Sequence, residues 1–125
     1  MKSCIRTILR STALACALAS AMPASAADPA SLIRSAIRTG SAADTVSGPV
    51  ADESRLKLNA TGPLTLKVTR LYEFQQTDCA RVRMTFTQAE ALPTGVKKPI
   101  DYSWSTDLSI CTDGQAPASQ TRKRP

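Results

Sequence analysis

The chain has 125 residues, five aromatic side chains, no histidine and a formal charge of +6. Three of its sixteen Lys/Arg lie in the first 26 residues, and Arg122, Lys123 and Arg124 supply the rest of the excess, so the body between is neutral. A neutral body excludes a basic nucleic-acid-binding face, and the lack of histidine removes the commonest general base and the commonest metal ligand.

Residues 1–26 read as an export signal: Lys2, Arg6 and Arg10 form a basic start, Thr12 to Met22 an apolar run, and Pro23 a break. Ala24-Ser25-Ala26 then places small residues where signal peptidase requires them, so cleavage is expected before Ala27. The apolar run of about eleven residues is far short of the roughly twenty that span a bilayer. Lipidation at Cys16, after Ala13-Leu14-Ala15, is the competing outcome. The Ala- and Arg-rich style is bacterial, which places the mature chain in an oxidising periplasm or outside the cell. Cys79 and Cys111, the cysteines that remain, are then expected to form a disulfide.

Asp28-Pro29 opens a short helix, Asp as N-cap and Pro at the first helical position, with Gly40 as its stop. Leu32, Ile33, Ala36 and Ile37 recur at helical spacing while Arg34 and Arg38 share another face. So short a helix is marginal alone and must pack on its own sheet or on a partner. Residues 39–54, small and polar with two glycines and a proline, read as a flexible linker, making 27–54 a tethered helix.

The β-rich domain is expected over 55–112. From Arg55 the period becomes two: Leu56 and Leu58 alternate with Lys57 and Asn59, and Thr61-Gly62-Pro63 turns the chain. Leu64, Leu66, Val68, Tyr72 and Phe74 share one parity, interrupted by Arg70. A second strand places Val82, Met84 and Phe86 on one face and Arg81, Arg83, Thr85 and Thr87 on the other. The last alternates Tyr102, Trp104, Leu108 and Ile110 with Asp101, Ser103, Ser105, Asp107 and Ser109. This periodicity assigns all five aromatics to an apolar core face.

Cys79 and Cys111 fall on the polar parity of their strands. Setting them opposite each other aligns Phe86 with Trp104, Val82 with Leu108 and Arg83 with Asp107. The preceding hairpin aligns Tyr72 with Val82, Val68 with Phe86 and Glu73 with Arg81. Residues 89–100 form a long connection carrying Lys97 and Lys98, and the basic tail, 113–125, is expected to be disordered, with membrane contact open only to its basic end.

No cofactor or metal site is legible. Two distant cysteines without histidine do not hold zinc, Cys79 lacks the C-x-x-C spacing, and neither a phosphate loop nor a nucleophile elbow is present. Glu73 and Asp78 read as a salt-bridge partner and a turn residue rather than an acid/base pair. Asn59-Ala60-Thr61 matches a glycosylation sequon, but such triplets are frequent by chance.

The expected fold is therefore mainly β, a small antiparallel meander or partly open barrel closed by one disulfide, with a short N-terminal amphipathic helix. The layout resembles that of small periplasmic accessory subunits of secretion and conjugation assemblies, a likeness of layout alone. It implies a non-enzymatic adaptor that binds an envelope protein, not nucleic acid, through Leu32, Ile33, Arg34, Ile37 and Arg38 or through an exposed strand edge. The alternative is a small secreted inhibitor or ligand-binding domain acting through Lys97 and Lys98 in the 89–100 loop.

Overall fold

A computed structural model describes residues 27–125; the expected export signal and Cys16 lie outside the described residues. The elements follow as α1 (Pro29–Thr39), β1 (Ser41–Val46), α2 (Pro49–Lys57), β2 (Leu64–Glu73), β3 (Cys79–Ala91) and β4 (Ile100–Cys111). The strands make one open antiparallel sheet in the order β1-β2-β3-β4, a meander rather than a barrel.

α1 caps this sheet. Leu32, Ile33, Ala36 and Ile37 are buried against Val46, Leu66, Val68, Ala80 and Val82, which the strands' period of two gathers on one face. Each large side chain fully buried here contributes roughly 1.5–3 kcal/mol before entropy is counted. Asp28 stands at the N-cap, where its carbonyl rather than its side chain accepts the first helical amides. At the other end Gly40, at φ 104°, donates its N–H to the Ala36 carbonyl. Arg70, the cation that interrupts the apolar parity of β2, donates to the Ile37 carbonyl at 2.8 Å and pairs with Glu73 at 3.2 Å. It binds the helix C-terminus, where cations are favoured.

The segment 39–54 is a strand and most of a helix, not a linker. β1 pairs with β2 along its whole length, from Ser41 opposite Thr69 to Val46 opposite Leu64. Residues 55–57, expected to start a strand, finish α2, in which Pro49 takes the first helical position and Lys57 pairs with Glu53 at 2.7 Å. α2 lies over the opposite end of the sheet from the α1 C-terminus, fastened by Gln88, which is fully buried. Ser54 donates to the Gln88 side-chain oxygen at 2.8 Å, and the Gln88 amide donates to the Gly62 carbonyl at 2.8 Å. Gly62 is required beside it, because a Cβ there would stand 2.7 Å from the Ala89 carbonyl oxygen.

The β3–β4 register has Cys79 opposite Cys111, joined as a disulfide, with Val82 opposite Leu108, Arg83 opposite Asp107 and Phe86 opposite Trp104. The β2–β3 register differs from expectation. Val68 lies opposite Met84 and Leu66 opposite Phe86, a slip of two residues that keeps the apolar face inward. A bulge between Arg70 and Tyr72 then puts Tyr72 opposite Arg81 and Glu73 opposite Ala80. The extra residue reverses the alternation. Tyr72 and Phe74 thereby pass to the far face, where Phe74 packs with the disulfide and Tyr72 lies edge-on to it.

Away from the disulfide end, the face opposite the helices is polar. Thr45, Thr65, Thr87 and Ser103 form one row across the four strands, and Thr87 hydrogen-bonds Ser103 at 2.9 Å. The C-terminal segment crosses the disulfide end of the sheet instead of trailing free. Gln75 N–H donates to the Thr121 carbonyl, Lys123 N–H donates to the Glu73 carbonyl, and the Arg122 guanidinium lies 4.6 Å from the centre of the Tyr72 ring. β1 begins only opposite Thr69, so the end of β2 offers free backbone groups that this segment fills.

Candidate functional site

The helix layer covers β1, β2 and β3, and β4 extends beyond it. On the helix side of β4, Ile100, Tyr102 and Leu108 are 42%, 42% and 37% exposed. Trp104 and Phe86 are half-buried and stacked with ring centroids 5.2 Å apart, and Tyr102 stands 6.0 Å from Trp104. Of the five aromatics expected in the core, only Phe74 is buried. Tyr72 is half-buried on the far face beside Phe74, while Phe86, Tyr102 and Trp104 form part of a surface, because no helix lies over β4 to complete their burial.

Four features set β4 apart from the other strands. It is twelve residues long, its outer edge has no strand partner among the described residues, and one face carries apolar side chains. The fourth is what it lacks. Sheet edges are commonly blunted by lysine, proline or shortness. The other edge, β1, has six residues, whereas Ile100–Cys111 contains no Lys, Arg or Pro.

β4 is tied to β3 by side chains on the far face. Arg83 donates to both carboxylate oxygens of Asp107, at 2.8 and 3.0 Å. These hydrogen bonds, more than the charge itself, hold the Asp107 carboxyl below its usual range and raise the Arg83 guanidinium. Arg81 donates to Ser109 and Thr85 hydrogen-bonds Ser105, so each odd-numbered position of β4 from Ser103 to Ser109 is tied to β3. Asp107 is thus held as a carboxylate paired with Arg83, and Asp101 is the other charge on the strand.

The residues expected to bind a partner are not brought together. Leu32, Ile33 and Ile37 are buried in the chain's own core, while Arg34 and Arg38 are exposed and Arg34 reaches Ser31 at 3.4 Å. Lys97 and Lys98 are exposed in the connection 92–99, beyond the other end of β3 from α1. The long loop is shorter than expected because β3 runs on to Ala91. Glu73 pairs with Arg70 and Lys123, and Asp78 holds the β2–β3 turn at φ 61°.

An open groove of about 470 Å³ lies between Ile37, Arg38, the 73–79 turn and Lys123. It is lined by charges of both signs and converges on no single group. Among the described residues no cluster of three or more His, Cys, Asp or Glu is placed to hold a metal, and no helix is long and apolar enough to cross a membrane. The β4 surface was hidden in the sequence because alternation marks which residues share a face, not whether anything covers that face. The absence of Lys, Arg and Pro from residues 100–111 was the available signal. Comparison with protein-family models, with curated proteins and with solved structures finds no match for this chain.

Proposed function

We propose that the chain is an exported, non-enzymatic accessory or adaptor protein of the bacterial envelope that binds a protein partner along β4. The observation that carries this reading is a twelve-residue edge strand with exposed apolar side chains and no Lys, Arg or Pro. Such an edge offers backbone hydrogen bonds for affinity and alternate side chains for specificity. Export rests on the basic, apolar and small-residue pattern of residues 1–26, and the disulfide is compatible with it. The absence of histidine and of any nucleophile motif in the sequence supports a binding role.

The helix, whose apolar face serves the chain's own core, gives way to the strand edge as the docking element. Photo-crosslinking in intact cells tests this. A photoreactive residue at Tyr102 or Leu108 should capture a discrete protein partner, while the same residue at Ala43 on β1, or at Lys97, should not. Capture from β1 or Lys97 with none from β4 would overturn the reading.

A further inference from the structure

We infer that the partner taken by the β4 edge is a second copy of this chain, paired antiparallel about a two-fold axis through Ser105. The inference rests on the reading of β4 as a protein-binding edge and deepens it.

The backbone determines which groups are free. Thr112 N–H donates to the Asp78 carbonyl, one position beyond the opposed Cys79 and Cys111, so the even-numbered residues of β4 turn their N–H and C=O groups toward β3. The odd-numbered residues therefore face outward. At one end this outer edge is closed by the chain itself: Cys111 N–H donates to the Gln115 carbonyl at 2.9 Å, and its carbonyl accepts from Gly114 at 3.0 Å. The open positions are Asp101, Ser103, Ser105, Asp107 and Ser109, and Ser105 is their midpoint.

A second copy centred there satisfies all of them. Asp101 meets Ser109 of the second copy, Ser103 meets Asp107, and Ser105 meets its own equivalent, for about ten backbone hydrogen bonds. On the apolar face Tyr102 meets Leu108 and Trp104 meets Thr106. Neighbouring registers fail for separate reasons. Centring on Trp104 opposes Asp101 to Asp107, two carboxylates, and like charges directly opposite each other destabilise a sheet. Centring on Thr106 requires the backbone of Cys111, already taken by Gly114 and Gln115.

The axis stands normal to the sheet, so both helix layers lie on one side of a continuous eight-stranded sheet. They cover β1 to β3 of each copy and leave the seam clear for Tyr102, Trp104 and Leu108 of both. One strand from each copy makes a small interface, so association is expected at roughly micromolar concentration.

Sedimentation velocity of the exported, disulfide-bonded chain should show a reversible dimer. Ser105→Pro removes an outward N–H and the hydroxyl bond to Thr85 but no backbone bond to β3, and should weaken association at least about tenfold with an unchanged circular dichroism spectrum. Register is tested separately: Ser105→Cys should form a disulfide between copies on mild oxidation, and Ser103→Cys, offset from its equivalent, should not. A wild-type chain that stays monomeric at hundreds of micromolar, a dimer unaffected by Ser105→Pro, or equal crosslinking from both cysteines would overturn the inference. If the chain is monomeric but Ser105→Pro abolishes capture from Tyr102 in cells, the second copy is wrong and the binding edge stands. If neither association nor capture responds, both fall.

Discussion

Gln88 is the residue whose chemistry least resembles its position. It occupies an inward-facing site on β3, in sequence with Val82, Met84 and Phe86, yet it is polar and fully buried. Its amide donates to the Gly62, Pro63 and Ala89 carbonyls and its oxygen accepts from Ser54. A buried amide with every group paired is tolerated, whereas its loss strands the partners. Gln88→Leu keeps the volume and adds apolar surface, but leaves the Ser54 hydroxyl without a partner and the Gly62 carbonyl with only the longer bond from Arg55 Nε at 3.3 Å. It should destabilise the fold by about 1–3 kcal/mol, read as a lower urea midpoint with an unchanged m-value. Ser54→Ala, which removes only one donor, should cost about 1 kcal/mol.

At the scale of elements, β1 and α2 show why a linker was expected and a strand and helix are found. α2 buries Ala51 and Ser54 and turns Leu56 outward at 84% exposure. Its packing face is made of small residues, so a search for large apolar residues at helical spacing passes over it. Ala51→Leu should overpack this contact and cost about 1–3 kcal/mol, while Leu56→Gln should change stability by less than about 0.5 kcal/mol, both read by chemical denaturation. β1 is Ser-Ala-Ala-Asp-Thr-Val, poor in strand-forming residues, and is a strand because β2 offers it a ladder and Val46 a place in the core. α1, β3 and β4 were legible because large apolar residues recur on one face of each, and the cysteines aligned the last pair. The β2–β3 register was not, because the bulge after Arg70 sends Tyr72 and Phe74 to the opposite face and leaves no mark in the alternation itself. The candidate site was least legible: Tyr102, Trp104 and Leu108 carry the same pattern whether a helix covers them or not.

Across the whole molecule, apolar burial is divided between two clusters on opposite faces of one sheet. The larger, beneath α1, contains no cysteine; the smaller holds Phe74 with Cys79 and Cys111, and the C-terminal segment crosses that end. The disulfide spans a sequence separation of 32, for which loop closure contributes roughly 3–4 kcal/mol in the chain-entropy model. A domain of this size has a net stability of about 5–15 kcal/mol, so the bond is a large share of stability yet smaller than the total. Its loss should therefore act unevenly. In Cys79→Ala/Cys111→Ala the amides of Arg81, Thr112 and Lys123 should lose hydrogen-exchange protection first, because their contacts belong to the disulfide end. Leu66, Val68 and Val82, beneath α1, should keep the residual global protection, since neither cysteine belongs to their cluster. Uniform loss of protection at both ends would instead mean that the sheet folds only as one unit with its covalent closure.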